Sequence, residues 1–99
     1  MLYEGAIRFL KQAGEAMQNN ASQRRYEKLT KAGDIIVGLQ SALDMTGGGQ
    51  RARELYDFYA SIDARILSLH RSSDVEECNR LINELRDMRD VWDAIDRGE

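Results

Sequence analysis

The chain has 99 residues, a formal net charge of -3 and a pI near 5.2, with 42% hydrophobic and 31% charged residues. That length is about one small domain, the composition suits a packed fold and not a disordered one, and the charge gives no support to nucleic-acid binding. No apolar run approaches the roughly 20 residues that a membrane span requires, and the lone cysteine, Cys78, forbids an internal disulfide and fits a reducing compartment.

The first predicted helix covers about 2–17. Tyr3, Ala6, Leu10, Ala13 and Met17 recur at helical spacing on one face, and Glu4, Arg8, Lys11 and Glu15 lie elsewhere. Those charges also exclude a signal peptide. Asn19 and Asn20 close this helix, and Ser22 is placed to cap the next by accepting a backbone N–H.

The second helix is predicted over 23–43, with Leu29, Ala32, Ile36, Leu39 and Leu43 three and four residues apart. It runs into Gly47, Gly48 and Gly49, the strongest break in a chain without proline. A phosphate loop needs a lysine and a hydroxyl after its last glycine, and here Gly49 is followed by Gln50, Arg51 and Ala52. The glycines read as a turn, supplying the positive φ that a helix C-terminus favours.

The third helix is predicted over 50–70, along Ala52, Leu55, Tyr59, Ile62, Ile66 and Leu69. His70 lies at its end, where the helix dipole favours an imidazolium. Asp74 with Glu77 resembles a capping box that opens the fourth helix, predicted over 75–95 along Cys78, Leu81, Leu85, Met88, Trp92 and Ile95. From Asp74 to Asp96 there are eight acids and three arginines, a net -5. This strip is either a solvated face or a device that orients a partner.

Seams of this period joined by short breaks predict an all-α, antiparallel up-and-down four-helix bundle forming a single domain over 1–99. No Glu-x-x-His or Cys-x-x-Cys accompanies His70, so no metal or cofactor is expected. Cys78 and Trp92 fall on the apolar seam and read as core. No catalytic constellation is visible, and an enzyme is not expected. Apolar residues beside the seams exceed what one seam needs. Ile35, Ala42, Phe58, Leu67, Ile82 and Val91 are the candidate partner-binding residues. They either widen the bundle-facing stripe or form an exposed groove for a partner helix.

The ordered set of segments resembles a known family. "MLYEGAIRFLKQA" is similar to the first helix of the flagellin export chaperones, the FliS family, and "DIIVGLQSALD" with its glycines to that family's second helix and turn. Leu55, Tyr59 and Arg65 fall where the third helix of the family carries those residue types, and "LINELRDMRDVWDAI" resembles its closing helix. The chain departs from the family at "GGQRA", Gly48 to Ala52, and at "FYAS", Phe58 to Ser61. It also lacks the upstream segment that precedes "MLY" in relatives, which suggests a truncated or divergent member whose binding surface is left open.

The resemblance implies a cytosolic chaperone that binds the disordered C-terminal segment of flagellin, blocks premature polymerisation and supports delivery to the export apparatus, without cofactor, nucleic acid or membrane. Other flagellar export or regulatory proteins are possible partners. The competing expectation is a structural module that self-associates as a homodimer through its extra apolar stripe.

Overall fold

The computed structural model describes residues 2–96 and 98 and places them in four helices: α1 (Leu2–Gln18), α2 (Ser22–Ser41), α3 (Gly49–Ser72) and α4 (Val75–Asp96). No described residue lies in a strand. The ends agree with the sequence expectation to within about two residues, the usual uncertainty of helix termini. Every seam residue predicted for α1 is buried, as are Leu29, Ala32 and Ile36 of α2, Ala52, Tyr59, Ile62, Ile66 and Leu69 of α3, and Cys78, Leu81 and Leu85 of α4. These side chains form one core, and burying each large aliphatic one contributes about 1.5–3 kcal/mol.

Cross-helix pairs fix the directions. Tyr26 meets His70 and Gly33 faces Asp63, so α2 and α3 run antiparallel. Gly5 abuts Ile35 while Phe9 lies by Lys28 and Lys31, which sets α1 against α2 in the same way. In the third pair, Arg65 reaches Glu77 and Glu84 while Leu55 shares a groove with Trp92. α1 packs closely on α2 and α4, and α2 on α3, whereas α3 and α4 form the loosest of the four neighbouring pairs.

The connections show how the sequence ends each helix. Asn20 adopts φ 54°, and the N–H groups of Asn20 and Ala21 donate to the carbonyls of Met17 and Ala16, a Schellman closure. Ala21 therefore stands at both the end of α1 and the start of α2. Ser22, expected as the cap, is already the first residue of α2, and no side chain caps that end.

In the α2–α3 turn the helix stops before the glycines. The Asp44 carboxylate accepts hydrogen bonds from the Thr46 N–H (3.1 Å), the Thr46 hydroxyl (3.0 Å) and the Gly47 N–H (2.9 Å), and its carbonyl accepts from Gly48 N–H (2.9 Å). The Gly47 N–H and then the Thr46 donors hold this carboxyl below its ordinary range. The positive φ falls on Gly49 (62°), at the first residue of α3, and not at the C-terminus of α2 as expected. Gly48 is required for space, because a Cβ there sits 2.5 Å from the Asp44 carbonyl oxygen.

Asp74 caps α4 through its Oδ1, which accepts from the N–H groups of Glu76 (3.0 Å) and Glu77 (3.2 Å). The other half of the capping box is diverted. Glu77 turns to α3, where its Oε1 accepts from Arg65 at 2.7 Å.

Candidate partner-docking surface

The core seam does not stop where its cover stops. At 17 residues α1 is about 26 Å long, against about 36 Å for the 24 residues of α3. Tyr3 of α1 lies level with Tyr59 on α3, and the seams of α2, α3 and α4 extend past that level. Leu39, Leu43, Leu55, Met88 and Trp92 are half-buried there, and Ile95 is 44% exposed. Trp92, expected as core, is half-buried, packs against the core and walls a groove at this end.

Two grooves meet at Leu55 and Trp92. One, of about 210 Å³, lies between α3 and α4 and is walled by Met88, Val91 and Ile95, with Arg51 and Glu54 on its rim. The other, of about 290 Å³, opens between the end of α2 and α3, with Leu39, Ala42 and Leu43 on its sides and Tyr3 and Tyr59 beside them. The two phenols hydrogen-bond to each other, and burial, followed by this bond, pushes the Tyr59 hydroxyl pKa upward.

A third groove, of about 410 Å³, runs between α2 and α3 along Tyr26, Leu29, Val37, Ile66 and Leu67. Gly33 lines it opposite Asp63, and a Cβ at Gly33 would sit 3.4 Å from the Asp63 carboxylate. Asp34 and Asp63 both line this groove. Desolvation and then the Asp34 charge push the Asp63 carboxyl upward, so the groove is apolar with an acidic middle.

His70 closes one end of it. The expectation of a dipole-stabilised imidazolium fails here, since desolvation and then the neighbouring Arg25 guanidinium lower its pKa. Arg25 occupies the place that a charged His70 was expected to fill. It donates to the His70 carbonyl (3.2 Å) and to the Ser73 hydroxyl, closing the C-terminus of α3 from α2. Away from the open end, Arg65 makes a two-pronged bond to Glu84 (2.9 and 2.7 Å) in addition to its bond to Glu77, clamping α3 to α4. Cys78 is buried, donates to the Leu10 carbonyl at 3.2 Å, and has its thiol pKa pushed up to about 11 by burial.

The six candidate residues do not share one face. Val91 walls the α3–α4 groove, Ala42 the groove at the end of α2, and Leu67, 60% exposed, the α2–α3 groove. Ile82, expected beside the seam, is buried in the core. Ile35 is half-buried against Gly5, and Phe58 half-buried against Tyr59, with ring centroids 5.7 Å apart. Periodicity assigned to the seam the groove residues Leu39, Leu43, Leu55, Met88, Trp92 and Ile95.

Among the described residues no group of three His, Cys, Asp or Glu side chains is placed to hold a metal ion, and no helix is long and apolar enough to cross a membrane. A helical scaffold with apolar grooves continuous with its core is built to dock other polypeptide segments. The family model described as flagellar protein FliS matches residues 1–99. The flagellar secretion chaperone FliS of Vibrio cholerae is 35% identical, over 96% of this chain and 70% of its own length. The chaperone FliSB of Pseudomonas aeruginosa is 30% identical, over 96% and 75%. FliS of Bacillus subtilis is 26% identical, over 93% and 68%. The chain belongs to the FliS family of flagellar proteins. It is a family of chaperones and not of enzymes.

Proposed function

We propose that this protein is a cytosolic export chaperone that holds the disordered C-terminal segment of flagellin, keeps it from polymerising and presents it for secretion. The observation that carries the reading is the pair of apolar grooves that meet at Leu55 and Trp92, with Leu55, Met88 and Trp92 packed against the core and Ile95 on the groove wall. A disordered segment that folds into amphipathic helices completes such a core by burying its own apolar face. The α2–α3 groove extends the track, and its Asp34–Asp63 middle favours a lysine or arginine in the segment that crosses it. Names carried by the relatives support secretion-chaperone activity.

Trp92 is the only tryptophan, so it reports on its own groove. Titration with a flagellin C-terminal peptide is expected to shift its emission to the blue, to raise total helicity, and to show 1:1 stoichiometry with a negative heat-capacity change. Unchanged emission and helicity at saturating peptide would exclude the open end as the docking site. A blue shift on concentrating the chain alone would assign that end to self-association.

A further inference from the structure

The cations of α1 and α2 gather around one ring. The Arg8 guanidinium carbon lies 5.1 Å from the centroid of the half-buried Phe9 ring, and the ammonium nitrogens of Lys28 and Lys31 lie at 5.5 and 5.6 Å. Arg24 precedes Lys28 by one turn. Among the described residues none of these four cations forms an ion pair, whereas Arg65, Arg80 and Arg89 on α3 and α4 all do. Glu27, the acid beside Lys28, accepts a hydrogen bond from Gln23 instead. The crowding acts on Lys28, whose pKa is lowered by desolvation and then by Lys31 and Arg24. The ring gains cation–π attraction from its neighbours, yet the cations repel one another.

We propose that this α1–α2 face docks an acidic helical segment of a partner protein, at a surface separate from the grooves. A row of cations on α2, faced by Arg8 from the antiparallel α1, sets the chemistry. Arg24, Lys28 and Lys31 stand four and three residues apart, and Arg8, Lys28 and Lys31 surround the Phe9 ring. A helix lying along this row with Asp or Glu at matching intervals meets the row and Arg8 together, with Phe9 beneath it. A nucleic acid duplex fits less well. α4, with its net -4, packs on the other flank of α1, so a broad polyanion meets like charge while a single helix does not. Because the grooves lie along α2–α3 and at the α3–α4 end, cargo and the acidic segment can be held together.

The test uses the full chain, ¹⁵N-labelled, titrated with a helical peptide of roughly 20 residues carrying glutamates at positions i, i+3, i+4 and i+7. Its Gln-for-Glu counterpart and a DNA duplex serve as comparison probes. Amide shifts are expected around Arg8, Phe9 and Arg24–Lys31 with the acidic peptide only. They should weaken at about 0.5 M salt, where exposed charges are screened. The Lys28→Gln/Lys31→Gln variant should lose about tenfold in affinity, as two exposed ion pairs of ordinary strength account for. Arg71→Gln, on the exposed end of α3, should lose none. Saturating flagellin peptide should leave the response intact, and its own failure to bind would leave this titration unaffected. An equal response to the Gln peptide, equal or tighter binding of the duplex at the same residues, or displacement by the flagellin peptide would overturn the proposal. So would shifts that appear on α4 from a second copy of the chain.

Discussion

The hydroxyl of Tyr3, in the first turn of α1, is hydrogen-bonded to the hydroxyl of Tyr59 in the middle of α3, and both rings are buried. The pair spans 56 residues of sequence and ties the first turn of α1 to α3. Replacing either tyrosine by phenylalanine leaves the other hydroxyl without this partner. Each single variant is expected to cost about 1–2 kcal/mol, and the double variant less than their sum. Urea unfolding of the four proteins in the cycle gives the coupling, and strict additivity would mean the two hydroxyls do not depend on each other. The pH dependence has a definite sign. Tyr59 has its pKa raised in the fold, so its contribution is complete below the ordinary phenol value of 10.0 and is lost as the pH rises beyond it.

Leu85 and Ile95 lie on one seam of α4 but have opposite expected behaviour. Leu85 is fully buried, and Leu85→Ala should cost about 2–5 kcal/mol through lost burial and a cavity. Ile95 is 44% exposed on the groove wall, and Ile95→Ser should stay within about 0.5 kcal/mol of the parent. Under the chaperone reading, Ile95→Ser should also weaken the flagellin peptide, seen as a right-shifted Trp92 titration. Undiminished affinity would remove Ile95 from the docking surface.

The glycines divide by position. Gly49→Ala places a Cβ at positive φ and should cost about 1–2 kcal/mol. Gly48→Ala should cost at least as much, because its Cβ meets the Asp44 carbonyl. Gly38, in α2, has open space around its Cβ position, so Gly38→Ala should stabilise the fold by about 0.5–1 kcal/mol through better helix propensity. Thermal melts of the three variants distinguish them by sign.

His70 predicts a slope in acid. Desolvation, aided by Arg25, lowers its pKa from 6.5 in the fold, so the unfolded chain takes up the proton first. The stability associated with neutral His70 is complete above pH 6.5 and is lost as the pH falls through the folded value. His70→Gln should flatten that part of the stability profile. Arg25→Gln should raise the His70 pKa in an NMR titration, and an unmoved titration would discard the electrostatic account.

Periodicity made the four helices and most of the core legible, because burial follows the 3.6-residue repeat. It could not show where a seam loses its cover. Trp92 and Ile95 carry the same pattern as Leu85, yet they line a groove, because burial depends on which neighbouring helices pack beside each turn. Ile82 is buried, as the wider bundle-facing stripe would have it, since α1 packs against that flank of α4. Capping was legible only in part. Asp74 acts through its own carboxylate next to the helix it caps, whereas Ser22 lost its place to a turn compressed by Asn20, and His70 to an arginine 45 residues away. The Phe9 cluster is formed by two helices and has no signature within either one.

Arg25 gives the bundle two unlike ends. Its bonds to the His70 carbonyl and Ser73 tie the α1–α2 and α3–α4 connections together at one end, where Asn20 and Asp74 close the adjoining helices. At the other end stand the Asp44 turn and the half-covered seam. Local opening starts where buried contacts are fewest, so amide exchange should be slowest near Arg25 and Leu69 and fastest around Leu43 and Trp92. Such a molecule has a stiff base and a compliant mouth. A disordered segment settling at the mouth meets backbone that can still adjust, and its arrival should slow exchange there while leaving the base unchanged.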